Sequence, residues 1–260
     1  MENFSVITSR ENSLIKLVSA LQGSAVKRRE NGLFVLEGLR ICKDACENGI
    51  RFDKLIVSDT AIQKYCEDIK IFSRNAAECF KIPDSLFLKI SDTKTPQGII
   101  AVCKIPRTDK SKIKNNGRYV ALENVQDPAN LGAVSRTAEA LGADGLILSA
   151  DGCDPYSPKA LRASMGTLLR MTIIIFEDFA AEIKASGLTS YACVVDKSAE
   201  SIKEVVFKNG CAVLIGNDGN GLTEEVIAAA DKRITIPMNG RAESLNAAAA
   251  AAIAIWEMMK

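Results

Sequence analysis

Histidine does not occur anywhere in the 260 residues. Its absence removes the commonest general acid and base and the mixed Cys/His zinc sites. Any proton transfer has to use a carboxylate, a lysine, water or an unusually placed arginine. The eight cysteines, at positions 42, 46, 66, 79, 103, 153, 193 and 211, contain no CxxC pair. Cys42 and Cys46 stand four apart on an expected helix without further ligands, so buried free thiols in a reducing compartment are expected, and no metal. No apolar run approaches the roughly 20 residues that span a bilayer, so no membrane partner is expected. The opening residues, Met1-Glu2-Asn3-Phe4-Ser5, lack the basic and apolar regions of a signal peptide, and the expectation is a cytoplasmic protein.

What is present is ordinary for a globular protein: 47% hydrophobic and 25% charged residues, in a length that suits one or two domains. The net charge of +1 hides a split. Residues 1–115 hold 20 Lys and Arg against 14 Asp and Glu, a balance of +6, and the remainder balances at −5. A basic front half suits a polyanion such as nucleic acid. Along that half the patterns predict a helix over 9–20, a strand at 33–36, a helix over 39–48 closed by Gly49, and strands at 54–57, 69–72 and 98–102, with a helix over 85–90. Residues 107–117 are polar and basic with almost nothing to bury, which reads as a linker. Beyond it, strands expected at 118–123, 145–149, 172–176, 190–195, 211–216 and 233–237 alternate with helices at 130–141, 158–164, 178–186, 223–230 and 244–259. That alternation predicts an α/β domain with a mostly parallel sheet.

Three polar, glycine-containing segments stand where a strand gives way to a loop and then a helix, the edge at which open α/β sheets bind ligands. The first is Asn124-Val125-Gln126-Asp127-Pro128-Ala129-Asn130-Leu131-Gly132. Asn130 or its neighbour is expected to cap the following helix. Arg136 lies one turn after Gly132, and the glycine is expected to leave open space beside the arginine stem. Arg136 reads either as a phosphate or ribose contact or as a surface residue paired with Glu139. The second is Gly216-Asn217-Asp218-Gly219-Asn220-Gly221-Leu222, with Thr223 as expected helix cap. Its spacing is neither GxGxxG nor a P-loop, and Glu224 and Glu225 in the next helical turn disfavour a phosphate. A neutral or cationic adenosine-containing ligand fits better; a turn that serves packing alone is the other reading. The third runs from Ile236-Pro237-Met238 to Ser244-Leu245-Asn246, with Ser244 as expected cap of a helix that opens with six alanines. Such a helix admits another backbone closely, within the domain or across a dimer.

In this order the segments resemble the three motifs of the SpoU/TrmH family of RNA ribose 2′-O-methyltransferases: Asn130-x-Gly132-x-x-x-Arg136, Gly216-x-Asp218-Gly219-x-Gly221, and Ile236-Pro237-Met238 with Ser244-Leu245-Asn246. Phe34-Val35-Leu36-Glu37-Gly38 and Thr95-Pro96-Gln97-Gly98-Ile99-Ile100-Ala101-Val102 look like pieces of the family's small substrate-binding domain. The resemblance covers nearly the whole chain. It implies a ribosomal-protein-like α/β RNA-binding domain over 1–107, a linker over 108–117, and a catalytic α/β domain over 118–260 of the SPOUT type, whose C-terminal part forms a trefoil knot, an exception to the rule that chains avoid knots.

The resemblance also implies S-adenosylmethionine as methyl donor, with no metal, held by Leu214, Gly216, Gly221, Ile236, Met238 and Leu245. Arg136 would stabilise the forming alkoxide or help remove its proton. Asn130 would hold a nearby phosphate or ribose. Asp218, Ser244 and Asn246 would complete the catalytic set, the last two by orienting Arg136 and the target nucleotide. The implied partners are RNA, ribosomal ahead of transfer RNA, and a second copy of the chain, with no DNA. Lys27, Arg28, Arg29 and Arg40 would contact the RNA. One departure stands out: the family usually has glutamate where this chain has Asp218, a carboxylate about one methylene shorter. An RNA-binding protein on the same fold without catalysis is the competing reading, and Asp218 is its only support.

Overall fold

Apolar runs become strands in two separate sheets of five and seven strands. A computed structural model describes residues 4–260. They divide into one unit that runs up to Pro106 and includes Tyr156–Arg162, and a second made of Arg107–Pro155 and Ala163–Lys260.

The first unit holds β1 (Ser5–Val6), α1 (Ser13–Gly23), α2 (Ala25–Asn31), β2 (Leu33–Glu37), α3 (Leu39–Glu47), β3 (Phe52–Ser58), α4 (Asp59–Lys64), α5 (Cys66–Arg74), β4 (Ala76–Ile82), α6 (Asp84–Ile90) and β5 (Ile99–Lys104). Its sheet order is β1-β4-β3-β5-β2, with β5 antiparallel to both neighbours. Val35, Ile56, Ile100 and Val102 on one face bury the apolar stripe of α1, Leu14, Ile15, Val18 and Leu21. The strand expected at 69–72 is instead the inside of α5. Ile69 and Phe72, three apart, point inward while Ile71 between them is exposed, a helical spacing that a four-residue apolar run does not reveal. The strand comes next, as β4.

The second unit holds β6 (Arg118–Leu122), α7 (Pro128–Leu141), β7 (Gly145–Ser149), α8 (Pro158–Ala163, grouped with the first unit as far as Arg162), α9 (Thr167–Arg170), β8 (Thr172–Phe176), α10 (Phe179–Ala185), β9 (Thr189–Cys193), β10 (Glu200–Ser201), β11 (Cys211–Ile215), α11 (Glu224–Ala229), β12 (Lys232–Thr235) and α12 (Ala247–Met259). Every pair in its sheet is parallel, in the order β10-β12-β9-β11-β6-β7-β8. Sheets covered on both sides read as continuous apolar runs, and β6, β7 and β11 are apolar almost throughout. From β6 the chain builds outward to β7 and β8, then returns to place β9 and β11 on the other side. The order therefore reverses between β6 and β11, and such a switch point is where the carboxyl ends of parallel strands leave room for a ligand.

Residues 107–117 belong to the second unit and are fastened to it. Lys110 pairs with Glu182, Lys114 Nζ lies 2.8 Å from Asp144, and the Lys114 backbone N–H donates to the Tyr119 hydroxyl at 2.8 Å. Helix α12 packs against α7, β6 and β11 through Ala247, Ala251, Ala254, Ile255 and Met258. Its end carbonyl at Met258 accepts from the Arg118 guanidinium at 2.7 Å, a cation at the negative end of a helix. Among the described residues no helix is long and apolar enough to cross a membrane.

Candidate functional site: a polar cluster beside a glycine-walled pocket

The start of α7 differs from the expectation. Asp127, not Asn130, is the cap, accepting from the Ala129 N–H at 2.9 Å, and Pro128 takes the first helical position, where a missing N–H costs nothing. Asn130 is thereby released from capping and lies buried, one turn inside the helix. Its amide nitrogen donates to Asp218 Oδ2. Asn246 Nδ2 donates to Asn130 Oδ1 and to Asp218 Oδ1, each at 3.0 Å, and the Ala247 N–H donates to Asp218 Oδ1 at 2.6 Å. One residue from each of the three segments thus meets in a single hydrogen-bonded cluster. Asp218 accepts three N–H groups and sits at the positive end of α12, where a carboxylate gains about 0.3–1 kcal/mol. Asp218 reaches all of these partners with its shorter side chain.

Asn246 also begins α12. Its Oδ1 accepts from the N–H groups of Ala248 and Ala249 at 3.0 and 3.3 Å, so the cap is Asn246 and the helix starts at Ala247, three residues later than expected. Ser244 is left in the preceding loop, facing the pocket.

The loop after β11 closes on itself. Asn217 and Gly221 exchange backbone hydrogen bonds at 3.1 and 2.9 Å, and Asn217 Nδ2 reaches the Asn124 carbonyl at 2.8 Å. Asn124, held at φ 49°, donates its N–H to Ser149 Oγ at 2.7 Å. A Cβ added at Gly216 would lie 2.0 Å from the Gly221 carbonyl carbon, so the loop admits only glycine there. Buried Glu123 fastens the first segment to the second, accepting from the Thr223 N–H at 2.8 Å and its hydroxyl at 2.6 Å.

A cavity of about 630 Å³ opens at this edge, walled by the ends of β9, β11 and β12, the loop before α12 and the first turn of α12. Of the expected cofactor residues, Gly216, Gly221, Ile236, Met238 and Leu245 line it, and so do Asp218 and Ser244. Leu214 does not. It lies inside β11, fully buried in the core with Ala121, Ala192 and Phe176, because the strand has not yet reached the sheet edge at that position. Asn130 and Asn246 are outside the lining, each hydrogen-bonded to Asp218. Sequence reasoning missed Val194, Val195, Asp196, Arg233 and Thr235, which come from strand ends at the same edge but carry no glycine or motif. The lining holds Asp196, Asp218, Glu224 and Glu243 against Arg233, an excess of negative charge. Hydrogen bonds from the Ser198 backbone and hydroxyl, then the Arg233 guanidinium, hold the Asp196 carboxyl below the usual carboxylate range, so it stays ionised. Cys193 also lines the pocket, and burial pushes its thiol up to about 12, so it is a neutral thiol at neutral pH. Among the described residues no cluster of His, Cys, Asp or Glu could hold a metal ion.

Arg136 is exposed on the outer part of α7, outside the pocket lining, with no hydrogen bond or ion pair among the described residues. The surface pairing with Glu139 does not form. Glu139 accepts instead from Arg170, at 2.5 and 2.7 Å. Nor does Gly132 leave open space. A Cβ there would stand 2.5 Å from that of Ala163 and 2.8 Å from the Ser164 nitrogen, so this glycine lets α7 pack tightly on the end of α8 and the residue after it. Of the expected RNA contacts, Lys27 pairs with Glu30 at 2.8 Å on the surface, and Arg29 and Arg40 are exposed. Arg28 corrects the expectation. It is 4% exposed, and its guanidinium donates to the carbonyls of Leu21 and Gln22 at 2.5 and 3.3 Å, where the end of α1 needs donors.

The chain is similar to known proteins over nearly its whole length. Residues 117–256 match the model of the SpoU rRNA Methylase family, and residues 12–101 match the MRM3-like substrate binding domain. The 23S rRNA (guanosine(2553)-2′-O)-methyltransferase RlmP of Bacillus subtilis is 28% identical over 255 residues, covering 97% of this chain and 98% of the relative. The 23S rRNA (uridine(2479)-2′-O)-methyltransferase of Streptomyces viridochromogenes is 28% identical over 264 residues, covering 98% and 91%. The crystal structure of an AdoMet-bound rRNA methyltransferase from Sinorhizobium meliloti superposes with a TM-score of 0.83 at 28% identity, covering 98% of this chain and 97% of that one. With its catalytic-domain match spanning more than half its length, the chain belongs to the SpoU rRNA methylase family.

Proposed function

We propose that the protein transfers a methyl group from S-adenosylmethionine to a ribose 2′-hydroxyl of ribosomal RNA of the 23S type, in the cytoplasm. The observation that carries this reading is the pocket at the carboxyl ends of β9, β11 and β12, lined by four carboxylates against one guanidinium and joined through Asp218 to Asn130 and Asn246. Its charge complements a cation, its walls at Ile236, Met238 and Leu245 are apolar enough for an adenosine, and the space beside Gly216 is closed to any side chain. S-adenosylmethionine therefore fits the residues present, and when bound it supplies a methyl group on a sulfonium that leaves as a neutral thioether.

The chain's own residues do the rest by positioning and electrostatics. The loop of residues 216–221 and Leu245 hold the donor. Asp218 fixes Asn130, Asn246 and the first turn of α12 at the pocket edge. Ser244 faces the pocket and orients the target nucleotide. Arg136, by its place in the motif Asn130-x-Gly132-x-x-x-Arg136, is the group that stabilises the forming alkoxide or takes part in removing its proton. Its guanidinium is uncommitted, which suits a polyanionic substrate. Arg136 stands outside its own chain's pocket lining, and Trp256 and Ile253 on α12 are exposed, 56% and 37%. Both observations support a homodimer in which the RNA spans two copies.

The test is methyl transfer from labelled S-adenosylmethionine to ribosomal RNA and to transfer RNA, both lacking modifications, with Arg136→Ala beside the wild type. The expected result is label in ribosomal RNA as a ribose-methylated nucleoside, lost in the variant. Label recovered in a base, or cofactor binding with neither RNA labelled, sinks the proposal.

A further inference from the structure

Arg233 is the one cation among the described residues that line the pocket. It stands on β12 in register with Ala192 of β9, and Asp196 follows the end of β9, so neighbouring strands bring the two side chains to the same edge. Arg233 Nη2 donates to Asp196 Oδ2. Asp196 is itself fixed, its Oδ1 accepting from the Ser198 N–H and hydroxyl at 2.7 and 2.8 Å. A guanidinium has five N–H groups in a planar fork, and among the described residues no other group takes those of Arg233. A braced arginine with spare donors at a pocket rim is built to receive a second carboxylate.

S-adenosylmethionine carries one anion, its α-carboxylate, beside an ammonium and a sulfonium. Four lining carboxylates repel that anion, and one lining charge attracts it. The ammonium and sulfonium, by contrast, have a choice of acidic neighbours. On the reading of the pocket given above, we propose that Arg233 binds the α-carboxylate of the methyl donor. It thereby gives the pocket its preference for donors that keep the amino-acid tail, and Asp196 is the positioning residue that holds the guanidinium at the rim.

The test is direct calorimetric binding to the full chain of two probes: S-adenosylmethionine, and 5′-methylthioadenosine, which keeps the nucleoside and sulfur but lacks the tail. Wild type, Arg233→Met and Arg233→Lys are compared, with thermal unfolding to confirm that each is folded. Arg233→Met is expected to weaken S-adenosylmethionine about tenfold, the loss of a charge-assisted contact at a partly exposed site. Binding of 5′-methylthioadenosine stays within about twofold, and Arg233→Lys recovers part of the loss. Equal weakening of both probes would make Arg233 a packing residue and overturn the assignment, as would no change in either. Wild-type protein that binds neither probe removes the reading of the pocket, and this assignment with it.

Discussion

Helix α7 serves two regions that are built in opposite ways. At its first turn Asn130 is buried, and its amide is spent on Asp218 and Asn246. Less than two turns later Arg136 stands exposed with no partner among the described residues. The pocket side is fastened before any ligand arrives, by Asp218, by the Glu123–Thr223 tie and by the closed glycine loop. The outer side keeps a charge in reserve. A donor site gains from walls that do not reorganise. A surface that meets a large polyanion gains from a guanidinium with no prior partner to give up.

That contrast can be broken from either end. The largest effect is expected for Arg136→Ala: a fall in turnover of about 10²–10³-fold, with unfolding free energy unchanged within about 0.5 kcal/mol and cofactor affinity intact. A comparable loss of stability in calorimetry would show that the outer face is structural after all. Gly216→Val should do the reverse, forcing the 216–221 loop open, costing about 3 kcal/mol and removing cofactor binding in titration calorimetry, because the added atoms meet the Gly221 backbone. Asp218→Asn places an amide opposite donors from Asn130, Asn246 and Ala247, and a destabilisation of about 1–3 kcal/mol is expected in denaturant titration.

In the first unit the same contrast separates adjacent residues. Arg28→Ala should lower the unfolding midpoint by the equivalent of about 1–2 kcal/mol and leave RNA binding alone. Arg29→Ala should leave stability alone and reduce the salt slope of RNA binding by about 1. The smallest effect belongs to the pair between Arg170 of α9 and Glu139 of α7. Hydrogen bonds from Arg170 hold the Glu139 carboxyl below its ordinary value. A carboxylate lowered in the folded state contributes its stability above the unfolded pKa, about 4.3, and loses it as pH falls through the folded one. Glu139→Gln should therefore cost about 0.5 kcal/mol at pH 7 and converge with wild type in acid.

The second unit was more legible in sequence than the first for a physical reason. Strands inside a parallel sheet are buried on both faces and appear as unbroken apolar runs, so β6, β7 and β11 are legible within a residue. In the first unit, residues 69–72 look like a strand until their neighbours are known, and α2 and α4 are too short to show a period. The polar segments announced the pocket, but not its whole wall. Asp196 and Arg233 become neighbours only because β9 lies beside β12, an adjacency that no local pattern contains. Charge misled at Arg28, since sequence shows a basic run and conceals that carbonyls at the end of α1 need a donor. The caps lie on either side of the residues that the sequence suggests: Asp127 stands before Asn130 and Asn246 after Ser244, which leaves Asn130 for the cluster and Ser244 for the pocket.

Asn246 has its oxygen on the first amides of α12 and its nitrogen on Asn130 and Asp218. Fraying of that helix and loosening of the pocket are therefore one event seen from two sides. Deuterium exchange at the amides of Ala248 and Ala249 reports on both. A ligand that fills the pocket is expected to slow that exchange.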